Sequence, residues 1–183
     1  MTSLAEAFES FQHSAWRLEA RDVYLVAEYD DQLAAFLADR PMPPRADGWA
    51  EVVKAAASRG AGMGRIRLVG RPISDYTRFE FALYPENVAF GEDVRIVDRA
   101  WLDDSWSAAP DVWLFDDRLA FRQRYDEAGQ YLGAEQIDTE PVVEMRRRLS
   151  TYAVPLTEYR LAEVAVPRPE SAIVMTFPGA VAS

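Results

Sequence analysis

The sequence predicts an α+β domain, a largely antiparallel sheet of four to six strands packed with four to five helices. Three observations predict it. Helical periodicity dominates the first sixty residues and returns after Pro141. Runs of period two cluster at 94–98, 111–115, 119–125 and 130–137, and they follow one another as a meander would. Helices and strands do not alternate regularly, so a doubly wound parallel fold is not expected. The chain of 183 residues suits one domain. It is assigned to 1–164, with an extended tail over 165–183.

The elements follow in order. Leu4, Ala7, Phe8 and Phe11 repeat at helical spacing and predict a helix over 3–13. Ser14 to Glu19 alternates, with Trp16 and Leu18 on one face and Arg17 and Glu19 on the other. Residues 22–26 read as extended. A second helix is expected over 27–38 on Leu33, Phe36 and Leu37, ended by Pro41, Pro43 and Pro44. Trp49, Val52, Val53 and Ala56 build a third over 49–57. Gly60 to Gly64 connects it to a strand at 65–69, which Pro72 stops. Ser74 is an N-cap, and Asp75 sits where a helix dipole favours an acid. That helix is expected over 75–84, with Pro85 bending it or restarting it for one more turn. A strand at 93–99 leads into a loop of roughly a dozen residues, long by ordinary standards. Val112-Trp113-Leu114-Phe115 is apolar on both faces, so its strand should be central or covered twice. Asp126 to Gly129 turns the chain between the last two strands. Pro141 is read as opening a helix on Val142, Met145, Leu149 and Tyr152, and Thr157 as capping a short last one.

Composition excludes several chemistries. Thirty acids against twenty Lys and Arg give a net charge of −10, with one His and no Cys. Disulfides and Cys-ligated metals are out, and a His-dependent triad would have to use His13. The basic footprint of a nucleic-acid binder is missing. No apolar run approaches the roughly 18 residues of a membrane span, and Met1 to Glu6 lacks the basic start of a signal peptide. A cytoplasmic protein is expected, with no cofactor and no metal.

Most candidate motifs have plain explanations. Gly60-Ala61-Gly62-Met63-Gly64 follows a helix and precedes a strand, the reverse of a dinucleotide fingerprint, so it reads as a helix stop and turn. His13 has no nucleophile beside it. The acids Asp98, Asp103, Asp104, Asp111, Asp116 and Asp117 have no calcium-loop spacing and read as loop acids. Arg146-Arg147-Arg148 reads as a solvated face in the half of a helix that favours cations. The richest segment is 74–95. Asp75, Tyr76, Arg78, Glu80, Tyr84, Asn87, Glu92 and Arg95 place acids, guanidinium forks, phenols and an amide within about twenty residues. These eight are the ligand- or partner-binding candidates. Asp75 and Arg78 are three apart, and Tyr76 and Glu80 four apart, so each pair shares neighbouring helix faces.

Phe8-Glu9-Ser10-Phe11 with Ser14 to Glu19, Pro72 to Glu80, Tyr84, Asn87, Gly91 to Arg95, Trp113 to Asp116, Tyr125-Asp126 and Val154 to Tyr159 make a set. The set resembles an uncharacterised actinobacterial family, common in streptomycetes and catalogued as a domain of unknown function. The resemblance covers roughly residues 8–160. Genes of that family often stand beside helix-turn-helix regulators. The resemblance therefore implies a regulatory role or a protein partner, and it carries no catalytic residues.

Two expectations follow. The first is a non-catalytic, partner-binding protein acting with a helix-turn-helix regulator, its acidic surface complementing a basic partner. The second is an enzyme or small-molecule binder of biosynthetic or metabolic role. There Tyr76, Arg78 and Glu80 would orient a polar substrate, with Asp75 or Glu92 as acid–base group. Its geometric requirement is that these side chains converge on one pocket. A self-associating structural protein is the third class to separate.

Overall fold

A computed structural model describes residues 2–160. The expected tail at 165–183 lies outside them. Helix α1 (Leu4–Ser10) opens with a reciprocal cap, in which Ser3 Oγ accepts from the Glu6 amide at 3.2 Å and Glu6 accepts from the Ser3 amide at 2.6 Å. It is shorter than 3–13, because Phe11 turns extended and leads into β1 (Ser14–Glu19). A 3₁₀ turn at Ala27–Tyr29 precedes α2 (Asp30–Leu37), and α3 (Trp49–Ser58) follows. Then come β2 (Gly62–Val69), α4 (Asp75–Phe90) and β3 (Glu92–Asp98). The chain finishes with β4 (Asp111–Phe115), β5 (Leu119–Tyr125), β6 (Tyr131–Ile137), α5 (Thr139–Ser150) and the short β7 (Val154–Pro155). Leu156–Glu158 is a 3₁₀ turn without a side-chain cap rather than a Thr157-capped helix.

The α+β reading holds, with five α-helices among the described residues. The sheet needs correction. It has seven strands in the order β6-β5-β4-β1-β2-β3-β7, not four to six, and it is mixed rather than largely antiparallel. β1, β2 and β3 run parallel, Arg17 beside Arg65 and Arg65 beside Val94. The expected meander is real only for β4, β5 and β6. β3 does not neighbour β4, because β1 and β2 lie between them. The physical reason lies in the crossovers. α2 and α3 carry the chain from β1 to β2, and α4 carries it from β2 to β3. Parallel neighbours need such connections, and the helices between the strands at 14–19, 65–69 and 93–99 supply them.

Helix α4 is one continuous element through Pro85. Pro85 removes an internal N–H bond, yet both halves of the helix are anchored. Before Pro85, Phe79 and Leu83 pack with Tyr24 and Tyr76 and Tyr84 enters the main core; after it, Asn87 is buried and Phe90 packs against the Val53 layer. Ser74 Oγ accepts from the Thr77 amide at 3.0 Å at the start, and Gly91 closes the helix at φ 109°, a conformation glycine takes without strain. Helix α5 starts two residues before Pro141, capped by Asp138. Pro141 thus occupies the first turn, where its missing N–H has no partner to lose.

The sheet separates two apolar layers. Trp16, Leu18, Ile66, Leu68, Val112 and Leu114 pack with Val142, Met145 and Leu149 of α5. Ala15, Met63, Trp113 and Phe115 face the other way and pack with Ala7, Phe11, Val53 and Ala56 of α1 and α3. On that second face the apolar packing stops after Ala15 and Met63. The next positions of the same parity are Arg17 and Glu19 on β1 and Arg65 and Arg67 on β2. α4 lies over β3 beside them.

Candidate functional site

The charges on this face are buried. Glu19 is 2 % exposed, Arg65 7 % and Arg67 0 %. Arg65 is held between two carboxylates. Its Nε donates to Glu92 Oε1 at 2.5 Å, its Nη2 to Glu92 Oε2 at 3.2 Å and its Nη1 to Glu19 Oε2 at 3.0 Å. Tyr84 donates to the same Glu19 oxygen at 3.0 Å, and Trp49 Nε1 donates to Glu92 at 2.7 Å. Arg67 donates to the Arg21 carbonyl and to Thr77 Oγ1, and its Nη2 lies 2.8 Å from Glu80 Oε2 in an ion pair without directed hydrogen-bond geometry. Removing this many charges from water is expensive, and well-packed apolar side chains of similar volume hold a core as well or better. Such a layer marks a site sooner than a stability device.

A cavity of about 290 Å³ opens against this layer. Its floor is Arg17 and Glu19 of β1 and Arg65 of β2. Its roof is Tyr76, Glu80, Leu83, Tyr84 and Asn87 of α4, residues four, three, one and three apart along one helix face. Tyr24, Val26 and Tyr29 close one side, and Tyr125 of β5 another. Arg45 and Asp47 form the mouth. Arg45 Nη2 bonds Asp47 Oδ2 at 2.5 Å, Arg45 Nη1 bonds Asn87 Oδ1, and Tyr29 donates to Asp47 at 2.5 Å.

Burial and charge set the protonation states. Burial works against ionised Glu19, but Arg17, Arg65 and Arg67 outweigh it and hold this carboxyl down at about 2. Glu80 goes the other way. Burial pushes it up, Arg67 only partly opposes, the Glu19 charge adds to the rise, and the result is about 7. Burial also raises Tyr24, Tyr76 and Tyr84, so their hydroxyls remain donors at neutral pH. Tyr24 uses its own on Asp111.

The eight residues expected from 74–95 divide cleanly. Tyr76, Glu80, Tyr84 and Asn87 line the cavity. Glu92 stands behind it, both oxygens engaged by Arg65 and Trp49. Asp75 and Arg78 pair with each other at 2.9 Å on the outer surface, 65 % and 56 % exposed. Arg95 pairs with Asp93 at 2.9 Å, also outside. Arg17, Glu19, Arg65, Arg45 and Trp49 belong to the site and were not singled out. Arg65 and Arg67 alternate with Ile66 and Leu68 as on a solvated strand face, and the central place of β2 between β1 and β3, which the sequence does not give, is what buries them.

The remaining motifs have structural partners. Asp116 accepts from the amides of Gln12, His13 and Ser14 at 2.7–2.8 Å. Asp98 and Asp103 cap 3₁₀ turns. Arg146 pairs with Asp117, and Arg147 and Arg148 with Glu144. No group of three or more potential metal ligands occurs among the described residues. No helix among them is long and apolar enough to cross a membrane.

Fold and site together define a mixed-sheet α+β protein with a polar pocket built on a buried ionic layer. The chain belongs to the family described as a domain of unknown function, DUF6879, whose model matches residues 2–161. No curated protein matches the chain.

Proposed function

We propose that this chain binds a small organic molecule in the cavity between α4 and the β1–β2 face. The observation that carries the reading is the buried ionic layer opening on a cavity walled by Tyr24, Tyr29, Tyr76, Tyr84 and Trp49. Apolar ring faces with a few convergent polar groups are the ordinary composition of a ligand site. Among the described residues the lining holds no Ser, Thr, Cys, His or Lys, and its carboxylates Glu19 and Asp47 are held by Arg partners. A second reading, acid–base catalysis, is favoured by Glu80 alone, whose carboxyl is tuned near neutral pH. Asp75 is exposed and Glu92 is fully engaged, so neither supports that role. A basic protein partner is supported by the charge of −10 and fits a binding protein whose ligand is a signal.

The test is a thermal-shift panel of small aromatic and polar metabolites on the wild type and on Val26→Trp, which fills the cavity from its side wall. Stabilising compounds whose effect vanishes in Val26→Trp support the reading. A panel without stabilising compounds, or with equal shifts in both proteins, refutes it.

A further inference from the structure

The hydrogen bonds of the cavity wall are unevenly spent. Glu19, Glu92 and Asp47 each use both oxygens on Arg, Tyr, Trp or backbone partners. What remains is mostly donors. The Arg17 guanidinium makes no hydrogen bond among the described residues and has one ion-pair contact, to Glu19 Oε1 at 3.2 Å. The rings of Trp113 and Tyr24, 5.6 and 5.8 Å from its carbon, hold it in place. The Asn87 amide nitrogen and the Tyr76 and Tyr125 hydroxyls have no hydrogen-bond partner among the described residues either. Glu80 is buried, its side chain 7 % exposed, and its Oε2 has no hydrogen bond.

We propose, resting on the pocket reading above, that the ligand is a small aromatic carboxylate whose acid group sits on Arg17 and whose ring lies among the tyrosines. Unspent donors without matching acceptors call for an acceptor-rich guest. The ring faces of Tyr24, Tyr29, Tyr76, Tyr84 and Trp49 favour a flat one, and about 290 Å³ limits it to one ring or a fused pair. The charge balance sets the sign. Arg17, Arg45, Arg65 and Arg67 face Glu19, Glu92 and Asp47. With Glu80 carrying its proton and Glu28, which also lines the cavity, exposed and screened by solvent, one positive charge is in excess among the enclosed groups. That fits a monoanion better than a phosphate dianion.

Binding therefore favours protonated Glu80. The charged groups facing Glu80 are Arg67 and Arg65 from β2 and Arg17 and Glu19 from β1. Tyr76 and Tyr84 flank it on α4, and Tyr24 and Tyr29 stand against Tyr76 from the preceding segment. Only Glu80 among these changes charge between pH 6 and 8, so affinity should fall about tenfold across that interval.

The experiment is an NMR titration of the full chain with benzoate and indole-3-carboxylate, beside benzamide, indole-3-carboxamide and benzylamine, at pH 6 and pH 8. The expected result is at least tenfold tighter binding of the acids than of the amides and amine. Acid binding should weaken about tenfold at pH 8, be lost in Arg17→Met, and lose its pH dependence in Glu80→Gln. Amides or amine binding as tightly as the acids, and still excluded by Val26→Trp, would overturn the anion and leave the pocket. No binding by any of the five, or binding that ignores Val26→Trp, would overturn both.

Discussion

Glu80→Gln isolates the least stable charge of the site. Glutamine keeps the shape and can still accept from Arg67, but it never ionises. In the folded chain burial lifts Glu80 from its ordinary 4.5 to about 7, against the pull of Arg67. A group with a raised folded-state pKa contributes stability that is fully present below its unfolded value and lost as pH rises through its folded value. At about 1.4 kcal/mol per pH unit, the interval from 4.5 to about 7 amounts to about 3 kcal/mol. The assay is urea unfolding of wild type and variant at pH 4.5, 6, 7 and 8. Other titrating groups are common to both and cancel in the difference. Glu80→Gln should match or trail the wild type at pH 4.5 and gain on it by about 3 kcal/mol by pH 8. A constant difference, or a wild type that gains with pH, would refute the reasoning and make Glu80 an ordinary paired carboxylate.

Three further outcomes are expected. Arg65→Met leaves Glu19 and Glu92 buried without their shared cation. It should cost about 3–5 kcal/mol in urea unfolding at pH 7, or prevent folding. Asp116→Ala removes the acceptor of three amides at the entry to β1, for a loss of about 1–2 kcal/mol. Burial opposes the ionised Asp116 carboxyl, but the amides of Gln12, Ser14 and His13 outweigh it and lower its pKa. Its contribution is thus present above the usual aspartate range and should disappear as pH falls below it, which the same titration at pH 3 checks. Asp39→Gly relieves a non-glycine residue at φ 51° after α2 and should raise stability by about 0.5–1 kcal/mol, read as a higher urea midpoint.

How far the sequence spoke depended on whether a feature was local. β4 and β5 were legible to the residue, because apolar, period-two runs mark them and the turn at Asp126 to Gly129 ends β5. α4 was legible from Ser74, although its passage through Pro85 is decided by packing on both sides. The order of the sheet was not legible. Nothing within Ser14–Glu19 says that its neighbours are β2 and β4, since long-range pairing is chosen by which faces can be buried together. That same uncertainty concealed half of the site. Arg17 and Glu19 alternate with Trp16 and Leu18 as a solvated strand face would, and only the cover of α4 turns that face inward. On α4 the helical period brought Tyr76, Glu80, Tyr84 and Asn87 together, but it could not separate them from Asp75 and Arg78 on the opposite side.

The central claim is that the buried charge layer opens on a ligand site and that Arg17, on the cavity floor, serves the ligand. Arg17 tests it most directly, because its donors are unspent while Glu19 keeps Arg65 and Tyr84 without it. The measurement pairs urea unfolding with the aromatic-acid titration on Arg17→Met. Stability should fall by less than the cost of about 3–5 kcal/mol expected for a buried pair left with no other partner, because Glu19 keeps Arg65 and Tyr84, while acid binding is lost. A collapse of stability with unchanged binding would contradict the claim and make Arg17 a structural cation.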